Sequence, residues 1–268
     1  MKKFAFGLVA AVTMTGSAVA ADMGPRYSKA PLVPAPVAYS WSGCYIGGNI
    51  GGGWERTRQT QAAKVDGSFV GLNNDFGRST GSDFVGGGQI GCDYQFASNW
   101  MIGIQGMYDY ARISSSHVVP TAFAGAPVGS FQSVDQARDM WTVTGRVGYL
   151  FIPQLLGYVK GGGAWTRVDQ AINGTVPVFF NSENAFGVNR SGWTVGGGLE
   201  WMFAPGWSVF GEFNYMDFGS KNVNFVKAPG SAAVGDVADV VRTRLEVEQF
   251  LVGVNYKFNF GGPIIAKY

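Results

Sequence analysis

Apolar and polar residues alternate with a period of two along most of the chain, which is the spacing of side chains on the two faces of a β-strand. In the stretch GGGQIGCDYQF, residues 86–96, the even-numbered positions are apolar or small and the odd-numbered positions are polar or small. The same alternation recurs in seven other segments. The pattern predicts eight strands, at residues 41–54, 84–96, 100–110, 140–151, 155–167, 193–201, 207–215 and 250–258.

Three glycines of that stretch, Gly86, Gly88 and Gly91, match the spacing G-x-G-x-x-G. This spacing can hold a dinucleotide pyrophosphate where a strand ends and a helix begins. No helical pattern follows Gly91, because the alternation continues through Phe96. We therefore interpret these glycines as small residues on the faces of one strand.

The connections between the predicted strands alternate in length. Three are tight, at residues 97–99, 152–154 and 204–206, and four are long and polar, at residues 55–82, 113–139, 169–191 and 218–243. Short turns at one end and long loops at the other are typical of outer-membrane barrels. An even number of strands places both chain ends on the side of the short turns, which is the periplasmic side in that class.

Alternation alone does not separate a membrane barrel from a soluble eight-stranded barrel of the lipocalin type, whose apolar face points inward. The tryptophans decide between them, because they lie near strand ends, as in the aromatic girdles of a membrane barrel. Trp41 lies at the beginning of the first predicted strand. The predicted girdle residues are Trp54, Trp100, Trp141, Trp165, Trp193, Trp201 and Trp207.

The positions of the charged residues support the prediction that the apolar faces contact lipid. On the apolar faces they occur only near the long connections, at Arg112, Arg167, Asp217, Arg244, Glu246 and Glu248. The opposite faces carry Asp93, Asp109, Arg146, Lys160, Glu200, Glu212 and Lys257. A charge facing lipid at mid-depth costs ~2–4 kcal/mol, so the polar faces are predicted to line the lumen. The predicted fold is all-β, an eight-stranded antiparallel transmembrane β-barrel with short periplasmic turns and long extracellular loops.

The beginning of the chain has the features of an export signal. A basic start, an apolar run and an A-x-A site at 18–20 predict a signal peptide over residues 1–20. Residues 21–40 form a proline-rich periplasmic lead, and the barrel is predicted over 41–268. Removing Lys2 and Lys3 from the 20 basic residues leaves as many basic as acidic residues, of which there are 18. This balance gives no indication of a nucleic-acid partner.

Several of these segments carry a family resemblance. They are SWSGCYIGGNIGGGW, FVGGGQIGCDYQF, LLGYVKGGGAW, WTVGGGLEWMF followed by APGWSVFGEFNY, and the closing YKFNFGGPIIAKY. The chain resembles the small eight-stranded outer-membrane proteins of α-proteobacteria, labelled porin family or OmpA-like β-barrel. The resemblance implies an envelope protein of the cell outer membrane with structural or surface-antigen roles, and some relatives are thought to bind haemin. It also implies contact with outer-membrane lipid and lipopolysaccharide, and handling by periplasmic chaperones and the barrel-assembly machinery.

Candidate chemistry is sparse. His117, the single histidine, follows three serines at the start of the second long connection. It is interpreted as a solvated loop residue, with lipid hydrolysis at the barrel rim or haem ligation as alternatives. One histidine and two separated cysteines do not make up a metal site. The apolar run at residues 176–180 in the third long connection packs on itself or contacts lipid, a partner or haem. We predict no catalytic residue, metal or cofactor.

Four inward charges on neighbouring strands, Arg146, Lys160, Glu200 and Glu212, lie four to six residues from a short turn. Two positive and two negative charges at one depth are predicted to pair and block the lumen, since each unpaired charge would carry a desolvation cost. Separate hydration by water is the alternative.

The two cysteines, Cys44 and Cys92, lie near the periplasmic ends of adjacent strands and share the outward parity. They either form a disulfide, which the oxidising periplasm permits, or face lipid as free thiols.

The sequence thus predicts an outer-membrane protein with a structural or surface role. A narrow pore for small solutes, or haem or host-ligand binding through the extracellular loops, are the alternative functions. The oligomeric state cannot be read from the pattern.

Overall fold

The computed structural model describes residues 39–64, 75–96, 98–123, 126–174, 183–227 and 237–258, and these form eight strands. Their bounds are β1 Gly43–Lys64, β2 Asp75–Gln95, β3 Trp100–Phe123, β4 Ala126–Ile152, β5 Leu155–Gly174, β6 Glu183–Ala204, β7 Trp207–Lys227 and β8 Val237–Phe258. No helix long and apolar enough to cross a membrane occurs in these residues.

The eight strands form one closed barrel in which every strand is antiparallel to its neighbours in the chain, and β1 pairs with β8 to complete the ring. The predicted fold class is confirmed. Tight connections join β2 to β3, β4 to β5 and β6 to β7 at one end, called here the turn end. The β6–β7 turn contains Gly206, whose φ of 78° lies in the left-handed region that a residue with a Cβ adopts at a cost.

The strands are longer at the other end, called here the far end, than the sequence predicted. Much of the predicted long connections is strand: β3 runs to Phe123 and β4 starts at Ala126, across the segment assigned to the second loop. Beyond the apolar band the outer face carries polar residues, and the buried inner face mixes polar residues such as Gln59 with apolar ones such as Phe225, so the alternation in the sequence fades although backbone pairing continues. The parts of these connections at 65–74, 124–125, 175–182 and 228–236 lie outside the described residues, and the apolar run at 176–180 lies there too.

The two faces of the barrel wall follow the predicted parity. Apolar side chains such as Phe84, Ile90 and Ile104 are exposed on the outer face. All seven predicted lumen charges, Asp93, Asp109, Arg146, Lys160, Glu200, Glu212 and Lys257, are buried. The polar faces therefore fill the interior.

The interior is layered along the barrel. An apolar cluster around Trp41, Met101 and Leu156 closes the turn end. A second apolar cluster, which includes Met107, Met140 and Leu251, fills the middle. A third, around Phe225 and Val241, lies toward the far end. Polar layers separate the three clusters.

Trp41 departs from its predicted position at the start of the first strand, because β1 begins at Gly43. Its indole is fully buried and donates from Nε1 to the carbonyl oxygen of Pro153 at 3.0 Å. The residue covers the lumen at the turn end instead of facing the membrane interface. The predicted signal peptide and nearly all of the proline-rich lead lie outside the described residues.

Candidate functional site: the charged lumen

The four charges predicted to pair are brought together inside the barrel. Arg146 Nη1 lies 3.2 Å from Glu200 Oε2, and Lys160 Nζ lies 2.7 Å from Glu212 Oε1. These side chains are closed off from solvent. Two ion pairs therefore lie inside the lumen, linking β4 to β6 and β5 to β7, between the apolar clusters at the turn end and in the middle.

Asp93 and Lys257 also belong to this cluster, although they are not among the four residues that the sequence predicts to pair. Asp93 accepts a hydrogen bond from Arg146 Nε at 2.8 Å and pairs with Lys257 Nζ at 2.6 Å. Their inward parity was visible in the sequence. Their depth was not, because it depends on strand register: Asp93 lies opposite Gly103, Gly103 opposite Arg146, and Arg146 opposite Lys160. We call these six charged residues the lumen cluster.

Neutral side chains surround the lumen cluster and donate hydrogen bonds to its carboxylates. Glu212 accepts from the Tyr158 hydroxyl at 2.8 Å and from Asn214 Nδ2 at 2.9 Å. Glu200 accepts from Ser208 Oγ at 2.6 Å and from Asn255 Nδ2 at 3.0 Å. Buried ion pairs offset their desolvation cost only when such additional hydrogen bonds are present.

Aromatic rings and the backbone of Trp41 close the cluster toward the turn end. The guanidinium of Arg146 lies 4.8 Å from the ring centre of Tyr45 and 5.0 Å from that of Tyr158. Lys257 Nζ donates to the carbonyl oxygen of Trp41 at 2.9 Å. The charges are thus held between aromatic faces, where cation–π attraction adds to the ion pairs.

The inward glycines make room for these large side chains. A Cβ placed on Gly103 would overlap the carboxylate of Asp93, and a Cβ on Gly91 would overlap the hydroxyl end of Tyr45. Gly91 is the third glycine of the apparent nucleotide motif. Its role in this fold is to leave space in the lumen.

A second polar layer lies nearer the far end. Asp135 accepts from Gln59 Nε2 at 2.8 Å and from Gln170 Nε2 at 2.7 Å, and Ser133 Oγ donates to Gln59 Oε1 at 2.8 Å. It lies between the middle apolar cluster and the cluster around Phe225. Side chains thus occupy the lumen at several depths along the described strands.

The two cysteines form a disulfide. Cys44 lies directly opposite Cys92 in the β1–β2 pairing, with the Cα atoms 3.9 Å apart. The bond lies on the outer face near the turn end, where Ile46 and Ile90 share its parity.

The seven predicted girdle tryptophans all lie on the outer face, with 45% to 55% of each residue exposed. At the turn end Trp207 packs against Tyr256, with ring centres 4.9 Å apart. At the far end Trp141 packs against Tyr108 at 4.4 Å. Two aromatic rows bracket the apolar band, which is the arrangement of a membrane barrel.

His117 lies within β3, opposite Ser133, and not in a loop as the sequence analysis expected. Its side chain lies outside the described part of the structure. No group of three or more potential metal ligands occurs among the described residues.

Fold, outer surface and filled lumen together define the class of this protein as an outer-membrane β-barrel. The family model described as outer membrane protein beta-barrel domain matches residues 8–258, and the chain belongs to this family.

Its relatives include outer-membrane immunogenic proteins. The chain is 28% identical to the 31 kDa outer-membrane immunogenic protein of Brucella melitensis, over 96% of this chain and 100% of that protein. It is 26% identical to the 25 kDa outer-membrane immunogenic protein of the same species, over 96% and 99%. These relatives agree with the predicted family, outer-membrane location and surface role.

Among solved structures, the fold is similar to the outer membrane protease OmpT from Escherichia coli. The TM-score is 0.51 at 9% identity, over 84% of this chain and 99% of that chain. OprG from Pseudomonas aeruginosa matches with a TM-score of 0.44 at 12% identity, over 84% and 100%. At such identities the likeness to OmpT concerns the fold alone.

Proposed function

We propose that this protein is a closed, non-conducting barrel that serves as a structural and surface element of the outer membrane, and that it is not an enzyme. The observation that carries the proposal is the lumen cluster, whose buried ion pairs link β2 to β4 and β8, β4 to β6, and β5 to β7 between two apolar layers. An eight-stranded barrel has an interior just wide enough for side chains. Side chains that pair with each other across this space leave no continuous path for ions.

The outer surface supports the partners that go with this role. Exposed apolar side chains between two aromatic rows suit contact with outer-membrane lipid, and the arginine-rich far end suits lipopolysaccharide. Delivery by periplasmic chaperones and insertion by the barrel-assembly machinery follow from a closed transmembrane barrel with an export signal.

Single-channel recording in planar bilayers tests closure directly. We expect no discrete conductance steps from the wild-type protein, whereas a narrow pore would give steps of uniform size. Steady steps from the wild-type protein would contradict the proposal.

The variant Glu212→Ala tests whether the lumen cluster provides the closure. It leaves Lys160 buried without its carboxylate, which costs about 3–5 kcal/mol when one partner of a buried pair is removed. We expect a lower melting temperature, a measurable conductance, or both. Glu248→Ala is the matched control, since Glu248 pairs with Arg56 on the outer surface, where such pairs contribute at most about 1 kcal/mol. Unchanged melting and unchanged conductance in Glu212→Ala would count against the cluster as the plug.

A further inference from the structure

Three arginines form a row across the outer face of β3, β4 and β5. Arg112 lies directly opposite Arg138, and Arg138 lies directly opposite Arg167. All three are exposed. Like charges directly opposite each other destabilise a sheet. A negatively charged group that is not part of the paired strands would therefore stabilise this row.

The carboxylates nearby do not neutralise the row. Asp169 pairs with Arg138 at 3.1 Å, and Asp139 accepts the hydroxyl of Tyr108 at 2.8 Å. Within the described residues, neither Arg112 nor Arg167 has a carboxylate at ion-pair distance. Two of the three guanidinium groups therefore keep free donors for an anion.

A second row of opposed arginines, on β2, β1 and β8, has a different electrostatic setting. It consists of Arg78, Arg58 and Arg244. Arg244 contacts Asp217 at 3.0 Å and Glu246 at 2.9 Å, and these carboxylates raise the pKa of its guanidinium. Two carboxylates of the chain thus supply negative charge at Arg244, whereas Arg138 in the row on β3 to β5 pairs with one, Asp169.

The depth of the first row matches that of lipid headgroups. Arg167 follows Trp165 by two residues and Arg112 follows Tyr110 by two, which is about 7 Å along a strand. Aromatic girdles lie at the level of the membrane interface. The arginines thus stand just outside it, where the phosphates and sugars of outer-leaflet lipids lie.

A groove runs beside the row. Its volume is about 540 Å³, and its lining includes Tyr108, Asp139, Trp141, Trp165, Arg167 and Asn189. A bulge at Asp139, whose φ is 38°, interrupts the β4 alternation between Arg138 and Met140 at this point. The groove combines aromatic faces, on which a sugar ring can stack, with a guanidinium that binds phosphate through paired hydrogen bonds.

We propose that the arginine row and this groove form a binding site for a phosphorylated glycolipid of the outer leaflet. Arg112 and Arg167 bind the lipid phosphate, Trp141 and Trp165 contact the sugar, and the acyl chains lie along the apolar outer face below. A soluble phosphate would use the guanidinium groups alone and leave the aromatic and apolar surface unused. This site rests on the proposed contact with lipopolysaccharide, whereas its test does not depend on whether the lumen is closed.

Lipid binding to the full chain in detergent tests the site. Native mass spectrometry would follow titration with bis-phosphorylated lipid A, with dephosphorylated lipid A, and with inorganic phosphate alone. We expect the phosphorylated lipid to bind the wild-type protein most tightly. The double variant Arg112→Gln/Arg167→Gln should lose at least about tenfold in affinity, because charge-assisted hydrogen bonds to the phosphate are removed.

The double variant Arg56→Gln/Arg244→Gln is the matched control. It removes the same charge from two exposed arginines that already have carboxylate partners. Its affinity should stay at the wild-type level. An equal loss of affinity in the control would show that the loss comes from the general surface charge, and it would overturn the site. Equal binding of dephosphorylated lipid, or binding of inorganic phosphate with the same dependence on Arg112 and Arg167, would overturn the assignment to a lipid phosphate.

Discussion

At the scale of single residues, the lumen depends on the absence of side chains as much as on their presence. Gly103 lies between Asp93 and Arg146 in the row of opposed residues, and its missing Cβ lets the arginine reach the carboxylate. A glycine in a strand weakens it through backbone entropy and lost packing. Here that cost is offset by an ion pair that could not otherwise form.

Gly103→Ala should therefore destabilise the barrel. Its Cβ would overlap the carboxylate of Asp93 and lie 2.9 Å from the carbonyl oxygen of Cys92. Overpacking of this kind costs about 1–3 kcal/mol, and urea unfolding in lipid vesicles would measure it. Gly145→Ala is the matched control, because Gly145 faces outward and a Cβ added there would have no described atom within 4 Å. Equal unfolding midpoints for the two variants would show that the space at Gly103 is not needed.

Parity in the sequence was enough to identify which charges point inward, and the lumen cluster contains all four residues predicted to pair. It was not enough to identify Asp93 and Lys257 as their partners. Counting residues from the turns gives position along one strand, whereas contact across a barrel depends on the stagger between strands. That stagger is a property of the closed ring, and no single segment of sequence contains it.

At the scale of the strands, the sequence predicted the segments in which one face of the strand contacts lipid and the other face lines the lumen. The central parts of all eight strands were found because two different environments impose a period of two. The extensions of β3 and β4 toward the far end were missed, because outside the membrane that contrast disappears. Trp41 was assigned to the first strand because its position in the chain places it near the membrane interface. That position does not show whether its ring points into the lumen or outward.

The β1–β2 pair carries the disulfide, and its removal should lower stability without changing the fold. Cys44 and Cys92 are separated by 48 positions in the chain, for which the loop-closure model gives about 4 kcal/mol. We expect reduction to lower the urea midpoint of the wild-type protein. The variant Cys44→Ser/Cys92→Ser should match the reduced wild type and be insensitive to reductant. Complete thiol labelling of protein taken from unreduced membranes would contradict the bond.

At the scale of the whole molecule, the barrel is asymmetric along its axis. The turn end is short and is closed by Trp41, whereas at the far end the strands continue well beyond the aromatic row. Exposed charges such as Arg112, Arg138 and Arg167 lie on the outer face beyond that row. In outer-membrane barrels the short turns are periplasmic and the longer end is extracellular. The arginines would then meet the outer leaflet.

This orientation predicts which positions are reachable from outside an intact cell. The variant Ser116→Cys, at a position that is exposed on β3 toward the far end, should react with a membrane-impermeant maleimide on whole cells. A cysteine at Pro205, in the β6–β7 turn, should react only after the outer membrane is permeabilised. The native cysteines leave no background label, because both are in the disulfide. The physical reason for a single orientation is that the polar strand ends at the far end are costly to pass back through lipid once the barrel has inserted. Labelling of Pro205→Cys on intact cells, with Ser116→Cys protected, would show that the barrel has the opposite orientation and that the arginine row lies at the inner leaflet.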